Sequence, residues 1–379
     1  MSAVHATDAV SVVEGAGDQE WQPALGALPI LSNPYFGPSS GIIVDLATGN
    51  LTYLPKEDLS GHNGSGSDAA FTRSYRSELV PRGYGSPGLP VGWVHGWDVS
   101  LTPANPGDPK SPLVLTYPSG VTESVAPEVT PDGKLTGKIV PAGGCPYLIT
   151  GVPSATTPSM WERITVTWGN ESRWTFTPAT DGKTYVLRQI DDLLLDWDGS
   201  RRIRSVRSAH TPNSFLLVFA YDPATGMLSS VTDGGKRTVA YLYETPPPNA
   251  GLGKAPGLRG VSVIHFVGEK QPEIYYRQTY GYTAVAGTAV LATIGVPGDK
   301  GYSSASIVYR GRLVAGLVDG NENRHVYTYL PTGTRVDVWG KASGRIDGTW
   351  TENIDTFSRH TGTTDALGHS TVIRYGNGR

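Results

Sequence analysis

A spacing of aspartate and tyrosine recurs three times along the chain and constrains its fold more than any single residue does. Three aspartates are each followed by an apolar or tyrosine residue 8 positions later and by a tyrosine 10 positions later. The sets are Asp233 with Tyr241 and Tyr243, Asp319 with Tyr327 and Tyr329, and Asp365 with Ile373 and Tyr375. A fixed spacing that recurs predicts a repeat architecture, whose function lies in an assembled surface and not in a small catalytic cluster.

The clearest copy of the repeat covers residues 219–244. Tyr221 ends a predicted strand, and the side chain of Asp222 can accept hydrogen bonds from the backbone that follows it, which starts a turn. Gly226 can adopt the positive φ that a tight turn requires. This stretch therefore predicts a strand, a turn and a return strand within a unit of roughly twenty residues.

A second turn and the strand after it complete the predicted unit. Asp233 and Gly235 form that turn, and one face of the next strand is apolar or tyrosine because side chains alternate. The residues on that face are Val239, Tyr241 and Tyr243. The other copies add Tyr309 and Gly311 ahead of Asp319, and Gly368 after Asp365. Separations of 86 and then 46 residues between the three aspartates predict four and two units, with degenerate copies in the gaps.

The composition favours many short strands. The 19 tyrosines and 9 tryptophans far outnumber the 3 methionines, and aromatic residues suit half-buried pleated surfaces. The 48 glycines and 29 prolines supply turns between strands. No stretch of about twelve residues keeps a 3.6-residue apolar period between capping residues, so we expect no helix.

Local patterns place several of these elements. Residues 42–54 alternate on both sides of a turn at 48–50 and predict a hairpin, and the breaker-rich residues 103–112 predict a loop between strands. Residues 245–257 include three consecutive prolines and predict an excursion or linker. Within 161–176 one predicted face carries Ile164, Val166 and Trp168, and another carries Trp174 and Phe176.

Charge and hydropathy exclude several classes of function. The 31 basic and 34 acidic residues are mixed, and no basic stripe predicts nucleic-acid binding. No apolar run approaches the roughly 18 residues of a membrane span. Residues 1–20 lack the basic and continuous apolar regions of a Sec signal peptide. Cys145 is the single cysteine, which fits a reducing compartment or export of a fold without disulfides.

Sequence motifs for catalysis and ligand binding are weak. Residues 83–88 satisfy G-x-G-x-x-G, but they follow no clear strand and Pro87 opposes a helix start, so a loop is favoured. Residues 182–184 read Gly-Lys-Thr without the first glycine of a Walker A motif. The 8 histidines show no metal-ligand spacing, and no G-x-S-x-G elbow occurs. We therefore predict no catalytic residue, no metal site and no cofactor.

One catalytic alternative stays open at this stage. A glycosidase needs two carboxyl groups on either side of a cleft. The carboxylates that could form such a pair are Asp191, Asp192, Asp196 and Asp198. A chance pair is the simpler interpretation, because any β protein of this size offers several.

A second set of residues, upstream of the repeats, carries a family resemblance together with them. It comprises Thr48, Gly49 and Asn50, then Arg73, Tyr75 and Ser77, then Gly92, Trp93, His95, Trp97 and Asp98. In this order, and followed by the Tyr-Asp repeats from about 185 to 379, these residues resemble the Rhs/YD-repeat family, bacterial relatives of the teneurin shell. The stretch from Gly88 to Trp93 is looser than the family pattern, and Trp97 stands where tyrosine or phenylalanine is common.

The resemblance implies an all-β fold in which a strip of β-sheet curls into an open, partial shell. We expect a loosely ordered leader over 1–40, an opening β module over 41–125, an irregular β segment over 126–184 and the repeat strip over 185–379. In the family, such a shell encloses a C-terminal toxin or effector. Secretion systems or toxin complexes carry it, or it is displayed at the surface. We expect a structural role without enzyme activity.

Departures from the family shape the expected partners. We find no self-cleaving aspartate segment, and no membrane or spike module before residue 41. The sequence stops at Gly378-Arg379, where another repeat would begin, which predicts a truncated C-terminus and an unpaired sheet edge. Such an edge favours pairing, so the expected partners are the C-terminal shell portion, a toxin cargo or a second copy of the chain.

The expected location is the bacterial cytoplasm before delivery, and then the outside or the cell surface by a route other than Sec. Two alternative functions remain. One is an extracellular adhesion or carbohydrate-binding β-repeat module, in which exposed aromatic residues stack on sugars. The other is a propeller-like or sandwich enzyme.

Overall fold

The computed structural model describes residues 11–14, 41–55, 58–62, 68–132, 134–141, 147–157, 160–169, 172–244, 257–265, 273–298, 301–320, 322–341, 343–354, 360–365 and 367–374. The protein is 60% strand and 2% helix, which confirms the all-β prediction. The helical part of these residues is one short 3-10 helix, Ser77–Arg82. Cys145, Tyr375 and most of the predicted leader and linker lie outside the described residues.

The strands are numbered in chain order. The first seven are β1 (Ser11–Glu14), β2 (Ile42–Val44), β3 (Leu51–Tyr53), β4 (Leu59–His62), β5 (Asp68–Phe71), β6 (Arg73–Arg76) and β7 (Trp93–His95). The next eight are β8 (Ser100–Pro103), β9 (Leu113–Thr116), β10 (Thr122–Val129), β11 (Leu135–Pro141), β12 (Tyr147–Pro153), β13 (Trp161–Trp168), β14 (Arg173–Pro178) and β15 (Tyr185–Ile190).

The remaining strands carry the repeats. They are β16 (Leu193–Trp197), β17 (Ile203–Ser208), β18 (Phe215–Tyr221), β19 (Leu228–Asp233), β20 (Thr238–Glu244), β21 (Gly257–His265), β22 (Glu273–Val285) and β23 (Thr288–Gly298). They continue with β24 (Gly301–Arg310), β25 (Leu313–Val318), β26 (Arg324–Leu330), β27 (Gly333–Trp339), β28 (Ile346–Ile354), β29 (His360–Thr364) and β30 (Ser370–Arg374).

One sheet of 24 strands dominates the fold. From β8 to β30 each strand pairs antiparallel with the next, so the chain runs back and forth without a crossover. Short connections suit this topology, because antiparallel neighbours need only a turn between them. The predicted loop at 103–112 joins β8 to β9 in this way.

The first part of the large sheet closes on itself. Strands β8 to β15 form a ring of 8, because β15 pairs with β8 through Tyr185–Leu101 and Val186–Ser100. The other half of β15 pairs with β16 instead, through Gln189 and Ile190. At β15 the closed ring therefore branches into the long strip of β16 to β30.

Apolar cross-strand pairs on β13 and β14 are buried on one face of the ring. Ile164 pairs with Phe176 and Val166 pairs with Trp174 across β13 and β14, and all four are buried. Residues directly opposite in an antiparallel pair point to the same side of the sheet. The sequence-based assignment of these side chains to two different faces is therefore wrong, because the two strands share one buried face.

Two small sheets share no strand pairing with the large one. Strands β2, β3, β6 and β7 form an antiparallel sheet, and β4 pairs with β5. The pairing of β2 with β3 confirms the predicted hairpin. We call residues 41–99, which hold both small sheets, the docking module. Strands β8, β9 and the first half of β10 fall within the predicted opening module, yet they pair within the large sheet.

The outer edge of β30 is covered. Strand β1 pairs with it in parallel, from Ser11–Thr371 to Glu14–Arg374. Part of the expected leader is thus a strand, and the unpaired edge predicted at the end of the repeats does not occur at β30. This contact could not be predicted from the sequence, because a strand of four residues can pair with any exposed edge.

The number of repeat units differs from the prediction in one interval. Six strands, β20 to β25, separate the turn at Asp233 from the turn at Asp319, which makes three strand pairs and not four. The reason is length, because β21 to β24 run for 9 to 13 residues each. Four strands, β26 to β29, fill the second interval, as the two predicted units require.

Candidate functional site

The repeat aspartates build one kind of turn. In each copy the backbone N–H of the fourth residue after the aspartate donates to its Oδ1 at 2.8–2.9 Å. The aspartate N–H in turn donates to the carbonyl of that same residue. These turns are Asp233–Arg237, Asp319–Asn323 and Asp365–His369. The aspartate is therefore a turn-forming residue in all three copies.

The positive φ of this turn has a fixed position. It falls on the third residue after the aspartate, which is Lys236 (φ 65°) in the first copy and Gly368 (φ 86°) in the last. Gly235, which the sequence singled out, does not adopt it. A fourth turn of the same kind, at Asp198 with Arg201 at φ 60°, was missed because no tyrosine follows at the repeat offset.

The repeat tyrosines fasten neighbouring strands. Each of four hydroxyl groups donates to a backbone carbonyl of the preceding strand, at 2.6–2.8 Å. The bonds run from Tyr221 to Ile203, from Tyr243 to Leu228, from Tyr309 to Leu291 and from Tyr329 to Val314. Burial raises the pKa of all four phenols, so they remain neutral donors at ordinary pH.

The remaining repeat tyrosines point toward the docking module or the sheet interior. Tyr241 donates its hydroxyl proton to Asp58 Oδ2 at 2.9 Å. Tyr327 is buried, and no hydrogen-bond partner for its hydroxyl is found among the described residues. The repeat tyrosines therefore have two structural roles. Some link neighbouring strands of the sheet, and Tyr241 binds the docking module.

A buried ion pair is the centre of the contact between module and sheet. Arg73 Nη2 donates to Asp58 Oδ1 at 2.9 Å, and Arg73 Nε donates to Oδ2. Both residues are 2% exposed. Arg73 also reaches the Tyr280 hydroxyl on β22 at 3.3 Å. Because a buried charge is costly without full compensation, this pair depends on the tyrosines that the sheet supplies.

Aromatic rings of the module and of the sheet surround the arginine. The guanidinium carbon of Arg73 lies 4.8 Å from the ring centre of Trp93, 5.4 Å from that of Tyr241 and 5.8 Å from that of Tyr280. The faces of aromatic rings attract cations. Burial lowers the pKa of Arg73, but Asp58 and the neighbouring hydroxyls outweigh that effect and keep it charged. Burial raises the pKa of Tyr280 to about 12.

Two further bonds join the family-motif residues of the module to the repeats. Trp93 Nε1 donates to the Tyr282 hydroxyl at 2.9 Å. The backbone N–H of Leu291 donates to the Tyr75 hydroxyl at 3.0 Å. Motif residues that lie about 200 positions before the repeats in sequence therefore meet them directly in space.

The turn at residues 45–50 docks one end of the module. Its sequence, Asp-Leu-Ala-Thr-Gly-Asn, matches Asp-Pro-Ala-Thr-Gly-Met at 222–227, and both aspartates accept the two backbone N–H groups that follow at the second and third positions. The carbonyl of Gly49 accepts a bond from Val314 N at 2.9 Å. The hydroxyl of Thr334 donates to the carbonyl of Leu46. The module thus contains a turn of the repeat type, and that turn contacts β25 and β27.

The opposite end of the module reaches β16 to β19. The carbonyl of Gly88 accepts a bond from Leu228 N at 2.7 Å. Phe71 packs 5.1 Å from Phe219, centre to centre, and Trp97 packs 6.3 Å from Phe219. The docking module therefore lies across the sheet from β16 to β27 and links strands far apart in the strip.

The other motif residues have local roles. Asp98 accepts hydroxyl protons from Tyr84 and Ser86, each at 2.8 Å. Ser77 Oγ accepts the N–H of Leu51 at 2.8 Å. Gly92 has φ 87° and faces the ring of Tyr75, so a side chain there meets both strain and a clash. His95 is taken up below. Asp58, Tyr280 and Tyr282 are interface residues that the sequence did not reveal, since no local pattern marks them.

Three of the four carboxylates considered for a glycosidase make hydrogen bonds or ion pairs with arginine residues. Asp191 accepts Arg173 N at 2.7 Å, Asp196 pairs with Arg207 at 2.6 Å, and Asp198 pairs with Arg202 at 2.7 Å. In the described part of the chain no group of three or more potential metal ligands comes together. Within the same residues, no helix has the length and apolar character that a bilayer crossing needs.

Most of the motif aromatics are interior residues. Trp93, Tyr75 and Trp97 are at most 6% exposed, and Tyr241 and Tyr327 are similarly buried. Trp339 and Phe215 are the large aromatics with substantial exposure among the described residues, and they lie on separate strands. The rows of exposed rings that carbohydrate stacking needs are therefore not formed by the repeat tyrosines.

Comparison with known proteins finds distant similarity to solved structures alone. No family model matches the chain, and no curated protein matches it. Among solved structures it resembles TcdB2-TccC3-Cdc42, with 9% identity over 83% of this chain and a TM-score of 0.25. It also resembles TcdB2-TccC3 without its hypervariable C-terminal region (8%, 83%, TM-score 0.25) and a Tc holotoxin pore of Photorhabdus luminescens (8%, 83%, TM-score 0.24).

The matched chains are much longer than this one. The alignments cover 21%, 22% and 21% of the three chains, so this chain spans about a fifth of the length of the chains it resembles.

Proposed function

We propose that this chain is a structural segment of an Rhs/YD-repeat β-shell that encloses or presents a toxin or effector. The observation that carries the proposal is the contact of Arg73 and Trp93 with Tyr241, Tyr280 and Tyr282. The opening motif and the repeats each resemble one part of the family sequence. Their direct contact supports the view that they form one functional unit.

The proposed mechanism is steric. A continuous antiparallel meander satisfies its backbone hydrogen bonds internally, and four tyrosine hydroxyl groups each add a side-chain bond between neighbouring strands. A wall of this kind separates its two sides without a reactive group. The docking module stiffens the strip, because it contacts strands from β16 to β27 at once.

The expected partners are a toxin cargo and the remainder of a shell. A second copy of the chain is the alternative partner. Delivery by a route other than Sec, from a bacterial cytoplasm to the outside or the cell surface, belongs to the same proposal. Its support is the family resemblance of the opening motif and the repeats.

Protection of a cargo from protease tests the proposal. The complete reading frame that contains this chain is produced in its host. The cargo is the segment or protein that copurifies with the β-shell, and its digestion by trypsin is followed by mass spectrometry. We expect that cargo to resist trypsin in the wild type and to be cut in Arg73→Ala, because the buried carboxylate of Asp58 loses its partner.

Arg335→Ala is the matched control, since Arg335 pairs with Asp337 at an exposed site and its loss leaves the wall intact. Equal digestion of the cargo in wild type and Arg73→Ala contradicts the proposal, as does a wall that carries no cargo. Binding to a glycan array, lost when Trp339 is changed, supports the carbohydrate-binding alternative instead.

A further inference from the structure

His95 is a titratable residue inside the contact between module and sheet. It ends β7, is 2% exposed, and lies between an aromatic ring of the module and one of the sheet. Its ring centre is 5.8 Å from that of Phe71 and 6.2 Å from that of Trp197, with which it is stacked. Any change in the charge of this imidazole therefore acts where β7 meets β16.

The imidazole has no compensation for a positive charge. The backbone N–H of His95 donates to Ser86 Oγ at 3.1 Å, but neither ring nitrogen has a hydrogen-bond partner among the described residues. The carboxylate of Asp98 is already bonded by Ser86 and Tyr84. A protonated His95 is consequently a buried cation whose two N–H groups lack acceptors, which is costly.

The charged groups on the surrounding elements do not remove that cost. Asp98 favours the protonated form. Arg73, directly opposite on β6, is paired with Asp58. Asp196, on β16, and Asp198, directly after it, flank Trp197 but are paired with Arg207 and Arg202. Asp68 lies at the exposed start of β5. Burial dominates over Asp98 and lowers the pKa of His95.

We propose that His95 makes the docking of the module on the sheet labile to acid. When the module leaves the sheet the imidazole becomes hydrated and regains its ordinary basicity, so protons bind the released state and not the docked one. The docked state binds fewer protons, so docking is fully favoured above the ordinary pKa near 6.5 and weakens as the pH falls through it. This inference holds whether or not the sheet encloses a cargo.

The size of the effect follows from the same linkage. If His95 stays neutral while docked, lowering the pH from 7 to 5 weakens the docking equilibrium by up to about 25-fold. Release begins at the end of the module that contacts β16 and β18. The contact of Gly49 with Val314 at the other end contains no histidine and responds less.

Amide hydrogen exchange of the full chain tests this proposal. Exchange of residues 71–98 is measured at pH 7 and pH 5 in the wild type and in His95→Phe, and the ratio between the two proteins removes the intrinsic pH dependence of exchange. We expect the ratio to rise by about an order of magnitude or more at pH 5. Phenylalanine keeps the ring contacts with Phe71 and Trp197 but cannot be protonated.

Two controls keep the outcome decisive. His210→Gln changes an exposed histidine whose side chain is 68% accessible, and it should behave like the wild type. His95→Leu replaces His95→Phe if that variant fails to fold. An identical pH response in wild type and His95 variant overturns the proposal, and so does an acid response equally large in β12 to β14, because that indicates global unfolding.

Discussion

At the scale of single residues, two turns of nearly identical sequence differ in the atoms that surround their glycine. Gly49 and Gly226 both follow an Asp-x-Ala-Thr run and have φ of 70° and 74°. A Cβ on Gly49 would lie 2.8 Å from a methyl carbon of Leu313 and 3.1 Å from the ring of Tyr329. A Cβ on Gly226 would meet only Nη1 of Arg202, at 3.4 Å. Gly49 therefore both adopts the positive φ of the turn and packs closely against the sheet.

Alanine substitution separates these two roles. Gly226→Ala should cost about 1 kcal/mol of unfolding free energy from backbone strain alone. Gly49→Ala should cost about 2–4 kcal/mol, because overpacking against β25 and β26 adds to the same strain. Urea denaturation of both variants provides the measurement. Equal losses would show that the contact with Leu313 contributes nothing.

Tyrosine hydroxyls offer a second comparison at this scale. Tyr243→Phe removes a bond to the carbonyl of Leu228, a neutral acceptor, and should cost about 1 kcal/mol. Tyr241→Phe removes a bond to the buried carboxylate of Asp58 and should cost about 1.5–3 kcal/mol, since bonds to charged groups are stronger. Chemical denaturation distinguishes them, and a larger loss for Tyr243→Phe contradicts the assigned roles.

At the scale of elements, the seam of the closed ring is among its shortest junctions. Only two residue pairs join β15 to β8, whereas β12 and β13 are paired along their whole length from Tyr147–Trp168 to Pro153–Trp161. Local opening requires breaking fewer bonds at the seam. We expect hydrogen-bonded amides at Ser100–Leu101 and Tyr185–Val186 to exchange at least tenfold faster than those in the centre of β13. Slower exchange at the seam would mean that side-chain packing, and not backbone pairing, holds the ring closed.

Elements with a local signal were predictable from the sequence, and long-range contacts were not. The hairpin of β2 and β3 and the loop after β8 follow from alternation and breaker residues. The Asp-to-Tyr spacing predicted the turn at Asp233 and the face that carries Tyr241. It did not predict that Tyr241 bonds Asp58, 183 residues away, because register between separate sheets leaves no periodic trace. The pairing of β15 with β8 that closes the ring could not be predicted for the same reason.

At the scale of the whole molecule, the docking module acts as a brace across the strip. One end meets β16 through His95, and the other meets β27 through Leu46. The second end also places the turn aspartate Asp45 near Glu352 of β28, which is 5% exposed. A buried titratable group therefore lies at each end of the brace, His95 in the module and Glu352 in the sheet, and the two groups respond to pH in opposite directions.

The pH dependence of Glu352 follows from its burial. Burial, and secondarily the charge of Asp45, raises the pKa of Glu352 from 4.5 to about 7. Between these values the folded state holds a proton that the unfolded state has lost, so this group's contribution to stability is complete below pH 4.5 and is lost as the pH rises to about 7. Glu352→Gln should therefore flatten this decline and gain stability relative to the wild type as the pH goes from 5 to 8. Unfolding free energies by urea denaturation at each pH give the difference curve, and Glu162→Gln, on an exposed strand position, serves as the control. A difference curve that is level across this range would mean that Glu352 is already charged in the folded protein, and the brace would then have a single pH-sensitive end, at His95.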